Sequence, residues 1–490
     1  MLGALLVLLM AAGCTPRPQF QARFEPAECR FKLPAGEKVE CGDLVVPEDR
    51  ASRTPAEIRL HVARMRSHSA APLPDPIVLL QGGPGGHTQM FLESGSFQAF
   101  RGLLAERDLI FYDQRGVGQS QPALDCPELG DVLRQTSSLS WREQQEKGTE
   151  ALAACADQLR SAGHDLSAYN SLASAADLED LRRALGYESW NLLAVSYGTR
   201  LALTTMREYP QGIRSVVLDS VIPLQVDPYS ESVVGLQGSL ELLFQRCQLD
   251  QACAQAYPDL AARYWRLVDQ LNAEPLRTRV IDPSSGQFYE VAVDGRRLLG
   301  LTYSALYQAA TIRELPRLIA ELERGQLGSS LRRMLMFQLA SDSYLSQGMG
   351  SVVQCREGVY DGTAGSEPAS VQTLTGVLAD YHQILAQQGA AICEALDVGV
   401  APAIENQPVV SAIPTLLLAG AYDPATPAAW AHLAAETLPA SQTVEFPGAG
   451  HALILELACA RGIVQAFFSK PDAAVDTACV AAQYLYFSQP

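Results

Sequence analysis

One serine, one acid and one histidine stand in this chain where nucleophilic catalysis could be assembled. The segment Asn191-Leu-Leu-Ala-Val-Ser196-Tyr-Gly-Thr-Arg200 reads as a buried strand that ends at a serine and passes at once into a helix. A nucleophile on so sharp a turn needs small neighbours, because the backbone there is tight, and the usual pattern is Gly-x-Ser-x-Gly. Here Ala194 replaces the first glycine and Gly198 keeps the second. The helix start also brings backbone N–H groups and the positive end of a dipole beside the hydroxyl. Taken alone, the segment also describes a serine that opens an ordinary helix.

Such a serine needs a base, and the base needs an orienting carboxylate. On a strand–turn–helix serine they follow in the order acid, then histidine. Three histidines come after Ser196: His382, His432 and His451. His451 ends the turn Pro447-Gly-Ala-Gly-His451, just after the apolar run Thr443–Phe446. His382 falls inside a helical pattern and His432 on a helix after Pro427, so both read as packed or solvated histidines. Asp423, in Gly420-Ala-Tyr-Asp423-Pro-Ala-Thr-Pro427, lies just past the Leu416–Leu418 strand, at the sheet end where such folds place their sites. Its other reading is a turn or helix cap before Pro424.

The loop Gln81-Gly-Gly-Pro-Gly-Gly86 follows the strand Ile77–Leu80. Glycines let the backbone turn its N–H groups towards a ligand. With the residue after the nucleophile, such a loop makes an oxyanion hole, so the N–H groups of Gly83 and Tyr197 are the candidates, with Gly82 the close neighbour of Gly83. A phosphate loop is the competing reading, and no Gly-Lys-Ser/Thr follows to support it.

The elements that must hold these groups are legible as patterns. Asp43–Pro47 and Ile58–Val62 alternate like antiparallel strands. Ile77–Leu80, Leu109–Tyr112, Trp190–Ala194, Ser215–Leu218 and Pro414–Leu418 are continuous apolar runs, as in a parallel sheet covered on both faces. Helical spacing between them, as in Ala175–Leu185 closed by Gly186, argues an α/β fold. From about residue 225 to 405 helix-like stretches dominate: Val234–Arg246, Leu260–Leu271, Arg296–Ala309 and Val371–Gln388. A largely helical block is thus expected between two strands of one sheet.

The 490 residues include 37 basic and 54 acidic ones, a net charge of −17, which argues against nucleic acid as a partner because phosphate binding needs clustered Lys and Arg. Composition is that of an ordinary globular protein, 48% hydrophobic and 19% charged, which excludes wholesale disorder and a collagenous chain. The 11 cysteines are many for a cytosolic enzyme and odd in number. The uncharged apolar residues 1–13 read as a signal peptide, and Ala11-Ala12-Gly13 before Cys14 resembles a bacterial lipoprotein signal, which would make Cys14 the lipidated residue. A cleaved secretory signal with an incidental cysteine is the alternative. Export then makes the other ten cysteines disulfide candidates, and neighbours pairing in order gives 29–41, 126–155, 247–253, 355–393 and 459–479. No Cys-x-x-Cys pair or other metal-ligand cluster is visible.

Three motifs in order resemble the proline iminopeptidase and tripeptidyl aminopeptidase branch of the α/β-hydrolases: Gly82-Gly-Pro-Gly-Gly86, Tyr112-Asp-Gln-Arg-Gly-Val-Gly-Gln-Ser120 and Val195-Ser-Tyr-Gly-Thr199. Asp177-Leu-Glu-Asp-Leu-Arg182, Tyr209–Ser220, the Asp423 loop and the Gly-His451 turn share the likeness, which runs from about residue 40 to the C-terminus. Gln81 stands where the family usually has His, and Ala194 where it usually has Gly. The resemblance implies an α/β-hydrolase fold, a mostly parallel eight-stranded sheet with an inserted helical cap. The chain then divides into a signal peptide (1–13), a tether (14–30), a first core part (31–224), the cap (225–405) and a C-terminal core part (406–490). It implies a serine aminopeptidase that uses Ser196, Asp423 and His451 and no cofactor or metal, acts on peptides and meets a membrane only through a lipid at Cys14. In such enzymes the Asp113-Gln-Arg-Gly-Val-Gly118 segment more often braces loops than lines the site. The resemblance also points to carboxylates in the cap for the substrate ammonium, with Glu357 in Val353-Gln-Cys-Arg-Glu357 the candidate; a solvated helix-end glutamate is its alternative. An esterase or lipase on the same triad, placed in the periplasm or outer membrane of a Gram-negative bacterium like the peptidase, is the second functional expectation. A non-catalytic envelope binding protein is the third.

Overall fold

The computed structural model describes residues 20–52, 54–88, 91–92, 96–340, 345–358 and 368–488. Among the described residues eleven strands are β1 (Arg23–Ala27), β2 (Val39–Pro47), β3 (Glu57–Met65), β4 (Ile77–Leu80), β5 (Leu109–Tyr112), β6 (Trp190–Val195), β7 (Ile213–Asp219), β8 (Leu276–Ile281), β9 (Phe288–Val293), β10 (Thr415–Gly420) and β11 (Ser441–Phe446). Nine of them form one sheet in the order β1-β2-β3-β5-β4-β6-β7-β10-β11. The first four in that order pair antiparallel and every later neighbour parallel. Side chains alternate between two buried layers, as the two-residue period of a strand requires. Leu192, Ala194, Val216 and Leu218 face one layer, and Leu193, Val195, Val217 and Leu418 the other.

The sheet has one strand more than expected. Residues 23–27, within the segment read as a tether, pair with β2, and the Cys29–Cys41 bridge ties the strand's end to its partner. The alternation there is too weak to mark a strand on its own. All five cysteine pairs join as sequence neighbours, including Cys355–Cys393.

The helices are α1 (Pro127–Gln135), α2 (Trp141–Ser161), α3 (Ser171–Ala184), α4 (Tyr197–Glu208), α5 (Ser232–Leu249), α6 (Gln251–Ala256), α7 (Leu260–Ala273), α8 (Gly295–Ala305), α9 (Ala309–Ile312), α10 (Leu315–Glu323), α11 (Ser329–Ala340), α12 (Gln347–Glu357), α13 (Gly376–Leu396), α14 (Ala428–Ala435), α15 (Leu453–Glu456) and α16 (Ala458–Ser469). Helices α5–α13 lie between β7 and β10; all but α12 share a core of their own, whereas α12 packs into a separate cluster with Val117, Tyr169 and Tyr197. Two features there depart from the helical pattern. Strands β8 and β9 form an antiparallel hairpin, and α13 begins only at Gly376, because Thr375 is extended and Gly376 sits at φ 57°. Trp141, from α2 and far earlier in sequence, packs into this second core with its ring 4.7 Å from that of Tyr381. Among the described residues no helix is long and apolar enough to cross a membrane.

Register brings the functional loops together. Leu80 lies beside Ala194, Val195 beside Asp219, Leu418 beside Asp219 and Gly420 beside Phe446. The loops leaving the carboxyl ends of β4, β6, β7, β10 and β11 therefore share one edge of the sheet.

Candidate active site

Ser196 occupies the turn between β6 and α4 at φ 58°, ψ −127°, outside the ordinary regions for a side-chain-bearing residue. Such a conformation costs on the order of 1–3 kcal/mol and persists only where its surroundings impose it. They do so on two sides. The Ser196 N–H donates to the Asp219 carbonyl at 2.9 Å, and its carbonyl accepts the Thr199 N–H at 2.8 Å. Gly198 is required, since a Cβ there would collide with the Leu80 carbonyl. Ala194, where the usual pattern has glycine, is fully buried in the layer that holds Leu80 and Leu218.

The loop after β4 crosses directly above the serine. A Cβ on Gly82 would stand 2.6 Å from the Ser196 Cβ and 3.2 Å from its Oγ. Gly83, Ser196 and Tyr197 line one small pocket of about 120 Å³. Tyr197 opens α4, so its N–H is among those with no intrahelical acceptor. The loop is held from behind: Gln114 Nε2 donates to the Gln81 carbonyl at 3.0 Å, and the Ser346 N–H donates to the Gly85 carbonyl at 2.8 Å. Asp113, Gln114 and Arg115 thus act as braces. Asp113 accepts from Thr88 and Gln119, and the fully buried Arg115 forks onto Asp177 with two 2.7 Å bonds.

On the other side of the sheet edge, His451 Nδ1 lies 2.7 Å from Asp423 Oδ2. Asp423 is buried and fixed by its own turn: Oδ1 accepts the N–H groups of Ala425 at 2.9 Å and Thr426 at 3.0 Å, and Oδ2 also accepts the Thr426 hydroxyl. The His451 N–H donates to the Tyr307 carbonyl at 2.8 Å, and the Tyr307 ring lies 4.5 Å from the imidazole. Burial pushes the imidazole pKa down. The charge and hydrogen bond of Asp423, joined by the charge of Asp219, push it up further, so it stands above the ordinary histidine value. A histidine held this way accepts a proton readily and is stabilised once charged. His382 is buried in α13, and His432 is exposed 3.5 Å from Glu445, both away from this cluster.

Residues of the inserted block line the pocket from above. Tyr229, Ser232, Tyr303, Tyr307, Val353 and Glu357 face Ser196 and Thr426 across it. A larger cavity of about 900 Å³ lies elsewhere, between α5, α7 and the start of α13, and its lining holds no serine or histidine. Glu357 reaches the pocket as the last residue of α12, not as a solvated helix end: it is buried and already bonded. Oε1 accepts the Ser171 N–H at 2.6 Å, and Oε2 accepts the Ser171 hydroxyl at 2.8 Å and Arg200 Nε at 3.1 Å. Arg200 balances its charge, and Oε1 keeps one lone pair for another donor. Neither Ser171 nor Arg200 was marked by the sequence patterns, because their pairing with Glu357 spans 186 and 157 positions. Asp219 and Ser220 lie at the end of the Tyr209–Ser220 segment that shares the family likeness, which assigns them no role. The available signal was an acid closing the buried run Ser215–Leu218 at the carboxyl edge of the sheet. Cys14 lies outside the described residues.

Among protein families, the model described as the alpha/beta hydrolase fold matches residues 75–457. The serine protease Hip1 of Mycobacterium tuberculosis is 26% identical over 467 residues, covering 86% of this chain and 85% of that protein. A tripeptidyl aminopeptidase of Streptomyces lividans is 27% identical over 209 residues, 41% of this chain and 38% of the relative. A solved structure of proline iminopeptidase from Mycobacterium smegmatis aligns with a TM-score of 0.40 at 17% identity, covering 88% of this chain and 98% of that one.

Proposed function

The chain belongs to the α/β-hydrolase fold family, and we propose that it is an exported serine peptidase that releases residues or short peptides from the N-termini of peptides through an acyl-enzyme. One observation carries the reading: a serine on a strained strand-to-helix turn shares a sheet edge with a buried His451–Asp423 pair at 2.7 Å. The names of the two relatives support peptidase chemistry.

In this reading Ser196 Oγ attacks the scissile carbonyl and passes its proton to His451 Nε2. The carbonyl oxygen gathers negative charge and is met by the N–H groups of Gly83 and Tyr197. Asp423 keeps the other imidazole proton on Nδ1 and stabilises the imidazolium without taking that proton. The imidazolium then protonates the leaving amine, and water, activated by the same histidine, releases the acyl group. No step needs a metal or an organic cofactor. The free lone pair of Glu357 Oε1 is the proposed acceptor for the substrate ammonium. A pocket of about 120 Å³ lined by the inserted block suits chain ends better than folded proteins.

Five disulfides support an oxidising compartment. Lipidation at Cys14, and with it attachment to a Gram-negative envelope membrane, completes the proposal. An esterase on the same residues is the second reading, because the triad does not distinguish an ester from an amide. A panel of aminoacyl-, prolyl-, tripeptidyl- and acyl-ester chromogenic substrates separates the two. Turnover of amides with free amines, and a KM for them that Glu357→Gln raises far more than that for N-blocked esters, supports the peptidase. Turnover of esters alone overturns it, and equal effects of Glu357→Gln on both substrate types remove the amine-reading role.

A further inference from the structure

Asp219 closes β7 and is completely buried, yet no step above uses it. Its side chain reaches the turn that follows His451. Oδ1 accepts the Leu453 N–H at 3.0 Å and Oδ2 accepts the Ile454 N–H at 2.8 Å. The neighbouring Ser220 Oγ accepts the Ala452 N–H at 2.8 Å. Three successive N–H groups immediately after His451 are therefore held by two adjacent side chains. In the same residue, the Asp219 carbonyl receives the N–H of Ser196 at 2.9 Å. Asp219 is thus bonded to the nucleophile's backbone on one side and to the histidine's turn on the other.

Backbone strain gathers at the same place. Ser196, Ser220 and Ala452 all have positive φ, at 58°, 63° and 60°. A side-chain-bearing residue holds such a conformation only when bonds on either side over-determine it. Those bonds here run through Asp219 and Ser220.

We propose that Asp219 is a second acid serving His451, a positioning residue that registers base and nucleophile to one another and lends its charge to the imidazolium. The proposal rests on the triad reading. The mechanism places no proton on Asp219, whose two oxygens each accept a backbone N–H. The groups that face His451 are Asp423 at 2.7 Å, the Thr426 hydroxyl at 3.4 Å, the Tyr307 ring and the Asp219 charge. Those that face Asp219 are the Leu453 and Ile454 N–H groups, the Ser220 hydroxyl and His451. Burial pushes the Asp219 pKa up to about 6 against the pull of these partners, so it is ionised at neutral pH and above.

The test is Asp219→Asn, assayed across pH beside Ser196→Ala and Ser220→Ala. An asparagine accepts from only one of the two N–H groups and turns its own NH₂ against the other. The expected kcat loss is about tenfold to a hundredfold, part of the roughly 10²–10⁴ that a positioned base supplies, with KM changed less than about twofold. Because a nearby negative charge is lost, the acid limb of kcat/KM moves down by about one pH unit. Ser220→Ala removes an anchor but no charge, so its kcat falls a fewfold while its acid limb stays in place. Should the Asn variant fail to fold, Asp219→Ser, which leaves room for water and has no opposing NH₂, carries the same expectation. An unmoved acid limb in the folded Asp219 variant, with Ser196→Ala inactive, overturns this proposal alone. Activity that survives in Ser196→Ala overturns the triad and this proposal with it.

Discussion

Replacing Asp423 by Asn tests the catalytic arrangement at its most constrained point, and the structure determines how the new amide must sit. Oδ1 of Asp423 accepts two backbone N–H groups, from Ala425 and Thr426, while Oδ2 faces His451 Nδ1. An asparagine that keeps its oxygen on those two N–H groups must place its NH₂ where Oδ2 was. That group donates, so Nδ1 becomes an acceptor and the imidazole proton shifts to Nε2. A histidine protonated there cannot take the serine's proton. The reverse orientation sets the NH₂ against two N–H donors in a buried site and is disfavoured by roughly 1–3 kcal/mol for each polar group left unpaired. The wrong tautomer therefore dominates. Loss of the orienting carboxylate typically lowers kcat by about 10⁴, equivalent to about 5.4 kcal/mol of transition-state stabilisation. KM for a chromogenic aminoacyl substrate stays nearly constant, because Asp423 makes no proposed contact with substrate. Initial rates with enzyme concentration fixed by absorbance, and folding checked by circular dichroism, measure the effect. A folded Asp423→Asn that loses less than about tenfold would refute the tautomer argument.

Other perturbations reach the remaining parts of the site. Gly82→Ala sets a Cβ 2.6 Å from the Ser196 Cβ and 2.8 Å from the Val195 carbonyl, so the loop must retreat from the serine. Its kcat should fall by about 10²–10³, the cost of one lost oxyanion donor, and a change within threefold would contradict that placement. The base must be neutral to act, and its pKa lies above the ordinary 6.5. Activity should therefore decline as pH falls through a value above 6.5, and an acid limb well below 6 would show that His451 is not the titrating group. The Cys355–Cys393 bridge closes a separation of 38 residues and ties the helix that carries Glu357 to α13. Loop closure of this length corresponds to about 4 kcal/mol in the chain-entropy account. Cys355→Ala with Cys393→Ala should lower the melting temperature by a few degrees and raise the peptide KM; an unchanged melting curve contradicts the estimate.

The legible parts of the molecule are those fixed by short-range physics. Ile77–Leu80 and Leu109–Tyr112 form strands over the same residues as their apolar runs, because a strand buried on both faces admits little else. The cysteines pair with their sequence neighbours, so spacing alone carried that information. Ser196, Asp423 and His451 stand out because each follows a strand pattern within a few residues, at the sheet's carboxyl edge. What stayed hidden depends on register between distant segments. Nothing near Asp219 in sequence reveals that it bonds to residues 453 and 454, and nothing near Glu357 reveals Arg200. Strand β1 is another such case: its half-exposed residues are held by pairing with β2 and by the Cys29 bridge rather than by an alternating apolar pattern. Trp141 likewise joins the core of the inserted helices through contacts with residues far later in sequence, such as Tyr381.

Catalysis of this kind requires Ser196 to be the activated nucleophile. Treatment with a fluorophosphonate, followed by peptide mass mapping, tests this directly. One adduct is expected, on the Ser196 oxygen, forming quickly in the native enzyme, far more slowly in Asp423→Asn and not at all in Ser196→Ala. An adduct on any other residue, or equal labelling of Ser196→Ala, would contradict it.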